Sequence, residues 1–146
     1  MPFRFSLATV HRYRELLEQQ ALLELEKIHG EITRLRLQLV DLELLRSRQQ
    51  TDGASALRKG VTAVEMEFAS QYRVTLEQRM VDLNQQIADT EQRKQRQLEV
   101  YRLALQEREV IEELRNGQRE IYLKDSARKE QSRIDDLFQR RRNTSE

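Results

Sequence analysis

Residues 51–62 (TDGASALRKGVT) constrain the fold most, because a helical pattern that fills nearly all of the chain stops and restarts only there. Two glycines, Gly53 and Gly60, lie in this stretch among small and polar residues. Glycine leaves helical dihedral angles at little steric cost. The sequence therefore predicts a first helix that ends near Gln50 and a turn over residues 51–62.

The restart of the pattern has its own signature. Thr62 and Glu65 have the spacing of a capping box, in which the hydroxyl and the carboxylate bind free amides at a helix start. A second helix is therefore predicted to begin near Ala63. The predicted organisation is a single domain with helix 1 over 1–50, the turn, helix 2 over 63–142 with a possible kink at 116–117, and a frayed tail over 143–146.

The composition favours long helices over a thick core. Charged residues make up 35% of the chain and hydrophobic residues 38%, tryptophan is absent, and the only proline is Pro2. This composition is typical of helices that bury narrow apolar seams. The net charge of +1 argues against a dedicated nucleic-acid binder. The absence of cysteine is compatible with the cytoplasm, and no run approaches the ~20 apolar residues that span a bilayer.

Each predicted helix carries an apolar stripe with heptad-like spacing, and the stripe of helix 1 contains one extra step of four, a stutter, near Ala21. The predicted stripe of helix 1 is Leu7, Val10, Arg14, Leu17, Ala21, Leu25, Ile28, Ile32, Leu35, Leu39 and Leu42. That of helix 2 is Phe68, Tyr72, Leu76, Met80, Leu83 and Ile87, followed by the polar Thr90, Lys94 and Gln97 and then by Leu98, Tyr101 and Leu105.

Folding the chain back at the predicted turn places residues opposite each other when their numbers sum to about 112. The pairs are then Leu39 with Tyr72, Leu35 with Leu76, Ile32 with Met80, Ile28 with Leu83, and Leu25 with Ile87. The predicted fold is all-α, a long antiparallel two-helix coiled-coil hairpin in which helix 2 overhangs helix 1 at its C-terminal end. In this register helix 1 has no residues left to pair once helix 2 reaches about Gln106. About forty residues of helix 2 therefore lack an intramolecular partner.

The chain offers little that could carry catalysis. Its two histidines, His11 and His29, are too far apart on one helix to share a metal, and we interpret both as solvated surface residues. No glycine-rich phosphate-binding loop is present, and no serine or threonine has a histidine placed to activate it. We therefore predict neither enzymatic activity nor a cofactor. The run Arg140 to Arg142 complements a helix C-terminus and fits an acidic protein groove or pore.

Phe5-x-Leu7-x-x-Val10 near the N-terminus and residues 130–136 near the C-terminus form motifs that resemble those of the flagellar type III export protein family FliJ. Near the N-terminus, Phe5-x-Leu7-x-x-Val10-x-x-x-Arg14, followed by Gln-Gln-Ala at 19–21, is similar to the opening of that family. Near the C-terminus, residues 130–136 (EQSRIDD) resemble its Glu-Gln-Lys-x-Leu-Asp-Glu signature, with serine in place of lysine at 132 and aspartate in place of glutamate at 136. The predicted turn also falls where the family has its turn.

The resemblance implies a stalk-like hairpin that couples parts of the export apparatus without being an enzyme. Implied partners are the hexameric export ATPase FliI, whose assembly and activity it would promote, the export gate protein FlhA, and export chaperones. The implied location is the cytoplasm, peripheral to the inner-membrane export apparatus, with no membrane insertion and no nucleic acid. The gate contact maps to Tyr72, Leu76, Arg79 and Leu83, where Arg79 replaces a small residue. The ATPase contact is predicted at Phe5, Leu7, Ile121, Ile134, Leu137, Phe138, Arg140 and Arg141.

Three alternatives remain open at this point. A structural coiled coil could dimerise through the overhang, and an equivalent stalk could serve a nonflagellar type III secretion system. An RNA-binding hairpin is the third, and salt-sensitive binding would reveal it.

Overall fold

The computed structural model describes residues 2–145 and contains two helices, α1 (Ala8–Lys59) and α2 (Ala63–Thr144). Contacts divide the chain into two compact units, and both helices contribute to each. Unit 1 comprises Met1–Gln20 with Arg102–Glu146, and unit 2 comprises Ala21–Tyr101. Within each unit the helices run antiparallel, which confirms the predicted all-α helical hairpin. No described helix has an apolar run that could cross a bilayer.

The turn is shorter than predicted and occupies only the C-terminal end of residues 51–62. Residues 51–59 are helical, so α1 continues past Gly53 and ends at Lys59. Among residues 2–145, Gly60 alone has a positive φ, 90°, which only glycine adopts without strain and which commonly ends a helix. The predicted end of helix 1 near Gln50 is therefore wrong, because an interior glycine costs only about 1 kcal/mol against alanine and helix-forming neighbours offset that cost.

The predicted capping box is confirmed. The amide of Glu65 donates to the Thr62 hydroxyl at 3.2 Å, and the amide of Thr62 donates to the Glu65 carboxylate at 3.5 Å. These reciprocal bonds satisfy two amides that lack helical partners, and α2 begins at Ala63 as predicted.

The shorter turn shifts the register of the two helices. In unit 2, Arg36 pairs with Glu91, and Arg93 pairs with Glu31 at 3.1 Å. Facing residues thus have numbers that sum to about 122 rather than 112. Each pairing predicted for the earlier turn, such as Leu39 with Tyr72, is therefore displaced by about ten residues. The reason is that the chain reverses at Gly60 and not in the middle of residues 51–62.

Buried and half-buried residues form a heptad-spaced seam that is unbroken from Leu7 to Leu42 and that, on α2, is interrupted only at the exposed Arg115. His11 and Glu18 hold the seam positions between Leu7 and Ala21, where Val10 and Leu17 were predicted, and Val10 is exposed. The stutter predicted near Ala21 is therefore absent. The seam starts at Leu7, just before α1, and continues on α1 with His11, Arg14, Glu18, Ala21, Leu25, Ile28, Ile32, Leu35, Leu39 and Leu42. On α2 it is Leu76, Met80, Leu83, Ile87, Thr90, Lys94, Gln97, Tyr101, Ala104, Arg108, Ile111, Gln118 and Tyr122.

The seam of α2 begins later than predicted. Phe68 is 73% exposed and Tyr72 is 42% exposed, although both were assigned to the predicted stripe. The best-packed core of unit 2 consists of Leu42, Leu76 and Met80, with Leu39 and Leu83 packed against it. The tightest burial on α1 is at Ile32, which is 2% exposed.

The unpaired part of α2 is also shorter than predicted. In unit 1, Arg14 pairs with Glu107, and the ring of Phe3 lies against that of Tyr122. The part of α2 that neither α1 nor the N-terminal segment covers therefore begins after Tyr122 and not near Gln106, again because the register is shifted. The helix is unbroken at Asn116 and Gly117, and a bend there stays a prediction.

The predicted tail over 143–146 differs in part from the structure. Residues 143 and 144 belong to α2, which ends at Thr144. Glu146, the last residue of that predicted tail, and Met1, the first of the segment assigned to helix 1, lie outside the described residues.

Candidate interaction surfaces

The first candidate surface is the segment of α2 over residues 123–145, which we call the C-terminal extension. Every residue of the extension is exposed. Its exposed residues include large apolar ones: Leu123, Ile134, Leu137 and Phe138, the last with 73% of its surface in solvent. Solvent-exposed apolar side chains on a helix that nothing covers are typical of a surface that another protein buries.

The apolar stripe of the extension does not continue the seam that faces α1. Continuing the heptad phase of the seam beyond Tyr122 would meet only polar residues: Asp125, Lys129, Ser132, Asp136, Gln139 and Asn143. The apolar residues follow another phase, about 160° around the helix from these polar positions. They are Leu123, Ala127, Ile134 and Leu137, with Phe138 beside them. The extension therefore carries an apolar face of its own.

Sequence reasoning found only part of this stripe. Ile134, Leu137 and Phe138 were predicted, whereas Leu123 and Ala127 were missed, although their heptad spacing was visible in the sequence. Ile121 was grouped with them but lies about 160° away from Leu137 around the helix axis. Ile121 is 62% exposed and thus belongs to a different face of α2.

The extension ends in a basic cluster. Arg140 and Arg141 are exposed and form no ion pair within residues 2–145. The Thr144 hydroxyl donates to the Arg140 carbonyl at 2.7 Å, and the Ser145 hydroxyl donates to the Arg141 carbonyl at 2.9 Å. These bonds close the last helical turn, so the guanidinium groups are presented from an ordered helix end.

The N-terminal segment packs on α2 at the base of the extension. The rings of Phe3 and Tyr122 have centroids 5.5 Å apart and planes inclined by 48°, and Phe5 and Leu7 are half-buried. The partner contact predicted for Phe5 and Leu7 stays a prediction, and their half-burial leaves only part of each side chain accessible. Sequence reasoning did not identify the contact of Phe3.

Ion pairs in unit 1 hold α2 against α1 below this point. Arg108 contacts Glu18 on α1 and Glu112 on its own helix, and Arg14 contacts Glu107. Partial desolvation lowers the pKa of Arg108, but attraction to Glu18 and Glu112 outweighs it, so the pKa lies above its ordinary value. Arg108 is therefore charged and joins the two helices of unit 1.

The residues assigned to the export gate by resemblance fall into two groups. Leu76 is 3% exposed and Leu83 packs on the same core, so both contact the opposite helix. Tyr72 and Arg79 are exposed and line separate grooves between the helices. The groove at Arg79 is polar, with Gln38, Asp41, Asp82 and Gln86 around it. The groove at Tyr72 lies beside the turn and includes Leu45, Leu57 and Met66.

The two histidines have different environments. His29 is exposed, as predicted, and its Nδ1 lies 3.5 Å from Lys94 Nζ. His11 is 7% exposed, so its prediction as a surface residue is wrong, because its position four residues after Leu7 places it in the seam. Its Nε2 lies 3.6 Å from Glu15 Oε1 and has no hydrogen-bond partner. Within residues 2–145 no group of three potential ligands is arranged to hold a metal ion.

These features define a class: a helical hairpin with a helix extension whose exposed apolar face is suited to binding another protein. The family model for the flagellar FliJ protein matches residues 3–146, and the chain therefore belongs to the FliJ family. This membership places it among the components of flagellar export. A search of curated proteins finds no match, and neither does a search of solved structures.

Proposed function

We propose that this chain is a non-enzymatic coupling protein of the flagellar type III export apparatus, and that its C-terminal extension binds the hexameric export ATPase FliI. The observation that carries the proposal is the apolar stripe of the extension, which is exposed along its length and out of phase with the seam toward α1. A helix that only completed the hairpin would keep its apolar residues in the phase of the seam.

The energetics favour binding by this segment. Complete burial of a leucine, isoleucine or phenylalanine side chain contributes about 1.5–3 kcal/mol. The extension is already helical in the free chain, so binding does not require a disordered segment to fold. The arginines at its end fit an acidic surface, such as the lining of a protein ring.

Substitution of the stripe tests the proposal. We expect Leu137→Asp with Phe138→Asp to weaken association with the FliI homologue of the same organism by at least about 100-fold. The reason is that two side chains that the complex would bury become charged. The matched control is Val81→Asp, which alters a 61% exposed apolar residue on α2 in unit 2. Calorimetric titration measures the affinity, and circular dichroism checks that helix content is unchanged. Equal affinity for both variants would refute the assignment of the extension.

We assign the export gate protein FlhA and the export chaperones to the hairpin of unit 2, as further partners. Of the residues implied by resemblance, Tyr72 and Arg79 can be reached without opening the core, whereas Leu76 cannot. Tyr72→Ala with Arg79→Ala should therefore weaken binding to FlhA while binding to FliI is kept. Binding to FlhA that is unaffected by this double substitution would remove the two residues from the gate surface. The proposed location is the cytoplasm, at the periphery of the inner-membrane export apparatus.

The heptad spacing of Leu123, Ala127, Ile134 and Leu137 also favours a second candidate, a coiled-coil dimer formed through the extension. Light scattering separates the two functions. A monomer that forms a complex with the ATPase supports coupling. A concentration-independent dimer that forms no such complex supports the structural alternative.

A further inference from the structure

A second uncovered apolar face lies on α2 within unit 1, on another side of the helix from the stripe of the extension. We call it the outer stripe, and it consists of Leu103, Val110, Leu114, Gly117 and Ile121. At 100° per residue, these five positions fall within about 40° of one direction. All five are exposed, and Leu103, Val110 and Ile121 each have more than half of their surface in solvent.

The outer stripe is distinct from the face that packs on α1. The seam positions Ala104, Ile111 and Tyr122 lie about 100° around the helix from it. Helix α1 therefore covers one side of α2 and leaves a second heptad-spaced face open. Two such faces on one helix are typical of a helix that packs against two partners.

The charge along the outer stripe is unusually low. Between Leu103 and Ile121 the only ionisable side chain within the same arc is Glu107, and it contacts Arg14. In a chain with 35% charged residues, a largely uncharged arc of this length costs little to desolvate. A partner could cover it without burying unpaired charge.

The edge of the outer stripe that points away from α1 is acidic. Glu109, Glu113 and Glu120 lie along this edge, after Arg102 at its N-terminal end, and all four are exposed. None of the three glutamates forms an ion pair within residues 2–145. A row of unpaired carboxylates beside an apolar stripe selects a partner that carries positive charge at the matching edge.

Gly117 gives the stripe a shallow point near its C-terminal end. A Cβ atom added at this residue would meet nothing within 4 Å, so packing inside the chain does not require glycine there. Glycine is unfavourable inside a helix, and here it leaves space for a large side chain from outside.

A second copy of the chain fits this face poorly. Antiparallel pairing about residue 112 would match Leu103 with Ile121 and Val110 with Leu114 of the other copy. It would also bring Glu113 close to its own equivalent, and facing like charges are destabilising. We propose that the outer stripe binds an amphipathic helix of another protein, with a leucine-type apolar stripe flanked by lysine or arginine.

A pair of synthetic peptides provides the test with the full-length chain. The first peptide has 21 residues, leucine at the a and d heptad positions and lysine at e and g, and the second has glutamate in place of lysine. We expect fluorescence anisotropy to show that the lysine peptide binds at least about tenfold more tightly at low salt. Glu113→Gln with Glu120→Gln should reduce this preference and its dependence on salt.

Variants locate the binding. Val110→Ser with Leu114→Ser should abolish binding of the lysine peptide, and Val81→Ser, an exposed control on α2 in unit 2, should leave it unchanged. Gly117→Ala should weaken it several-fold, although the chain has room for the methyl group. Equal binding by Val110→Ser with Leu114→Ser, or equal binding of both peptides, would overturn the proposal.

Two further outcomes would also overturn it. Loss of peptide binding in Leu137→Asp with Phe138→Asp would place the peptide on the C-terminal extension instead. A dimer of the chain that Leu114→Ser dissociates would make a second copy the occupant of the stripe. The proposal does not depend on the ATPase, so each of these results can be told apart from failure of the proposed function.

Discussion

The ring of Phe3 lies against the ring of Tyr122, with 5.5 Å between centroids and planes inclined by 48°. This tilted geometry is one that aromatic pairs favour. It joins the N-terminal segment to α2 at the last seam position before the C-terminal extension. The extension therefore begins from a point held by an aromatic contact.

Removal of this contact should loosen the base of the extension. We expect Phe3→Ala to cost about 0.5–1.5 kcal/mol in the free energy of unfolding of unit 1, from the aromatic pair itself. Amide hydrogen exchange should become faster around Tyr122 while unit 2 is unaffected. Val64→Ala, at a residue 76% exposed, is the control and should leave the exchange unchanged. Unchanged exchange around Tyr122 in Phe3→Ala would show that the contact adds no stability.

Two glycines should respond oppositely to the same substitution. Gly60→Ala should destabilise the chain by about 1 kcal/mol or more, because φ is 90° and alanine is strained there. Gly53→Ala should stabilise it by about 0.5–1 kcal/mol, because Gly53 is inside α1 and its surroundings are open. Urea unfolding measures both values. Stabilisation by Gly60→Ala would contradict the position of the turn.

Truncation of Ile32 should strongly lower the stability of the core of unit 2. Ile32→Ala should lower the free energy of unfolding by about 2–4 kcal/mol, because the residue is 2% exposed and its truncation leaves a cavity. Leu37→Ala, at a residue 62% exposed on the same helix, should change it by less than about 0.5 kcal/mol. Similar losses from the two substitutions would contradict the assigned seam.

The ion pair between Arg108 and Glu18 should show coupling. Arg108→Met removes the partner of a carboxylate whose side chain is 18% exposed, and should cost about 1–3 kcal/mol. Adding Glu18→Gln should recover part of that cost, because the unpaired carboxylate is then gone. Thermal unfolding of the two single variants and the double variant gives the coupling energy, and strictly additive effects would show that the pair is not coupled.

The sequence was sufficient for the helical hairpin and for the start of α2. Thr62 and Glu65 form the bonds that their spacing predicts, since a capping box is a local arrangement. The sequence was not sufficient to predict the residue at which α1 ends. Gly53 and Gly60 are the same residue type, and only the backbone conformation shows which one reverses the chain. The resulting error of about ten residues moved every predicted cross-helix pair and lengthened the predicted overhang.

The seam and the candidate surfaces were predictable to different degrees. Apolar residues such as Ile28 and Leu35 were identified as buried, and they are. His11 and Glu18 were missed because they are polar, and only their heptad phase marks them as seam residues. The same phase separates Leu123 and Leu137 of the extension from the seam. Periodicity therefore indicated these surfaces, but the phase of the seam had to be known first.

Binding of the C-terminal extension to the ATPase can be measured through hexamer formation and ATP hydrolysis of the FliI homologue, with this chain at equal subunit concentration and fixed salt. We expect the full chain to increase both, Val81→Asp to do the same, and Leu137→Asp with Phe138→Asp to increase neither. Hexamer formation and hydrolysis that do not respond to the full chain, or that respond equally to the extension variant, would show that the extension does not couple this chain to the ATPase.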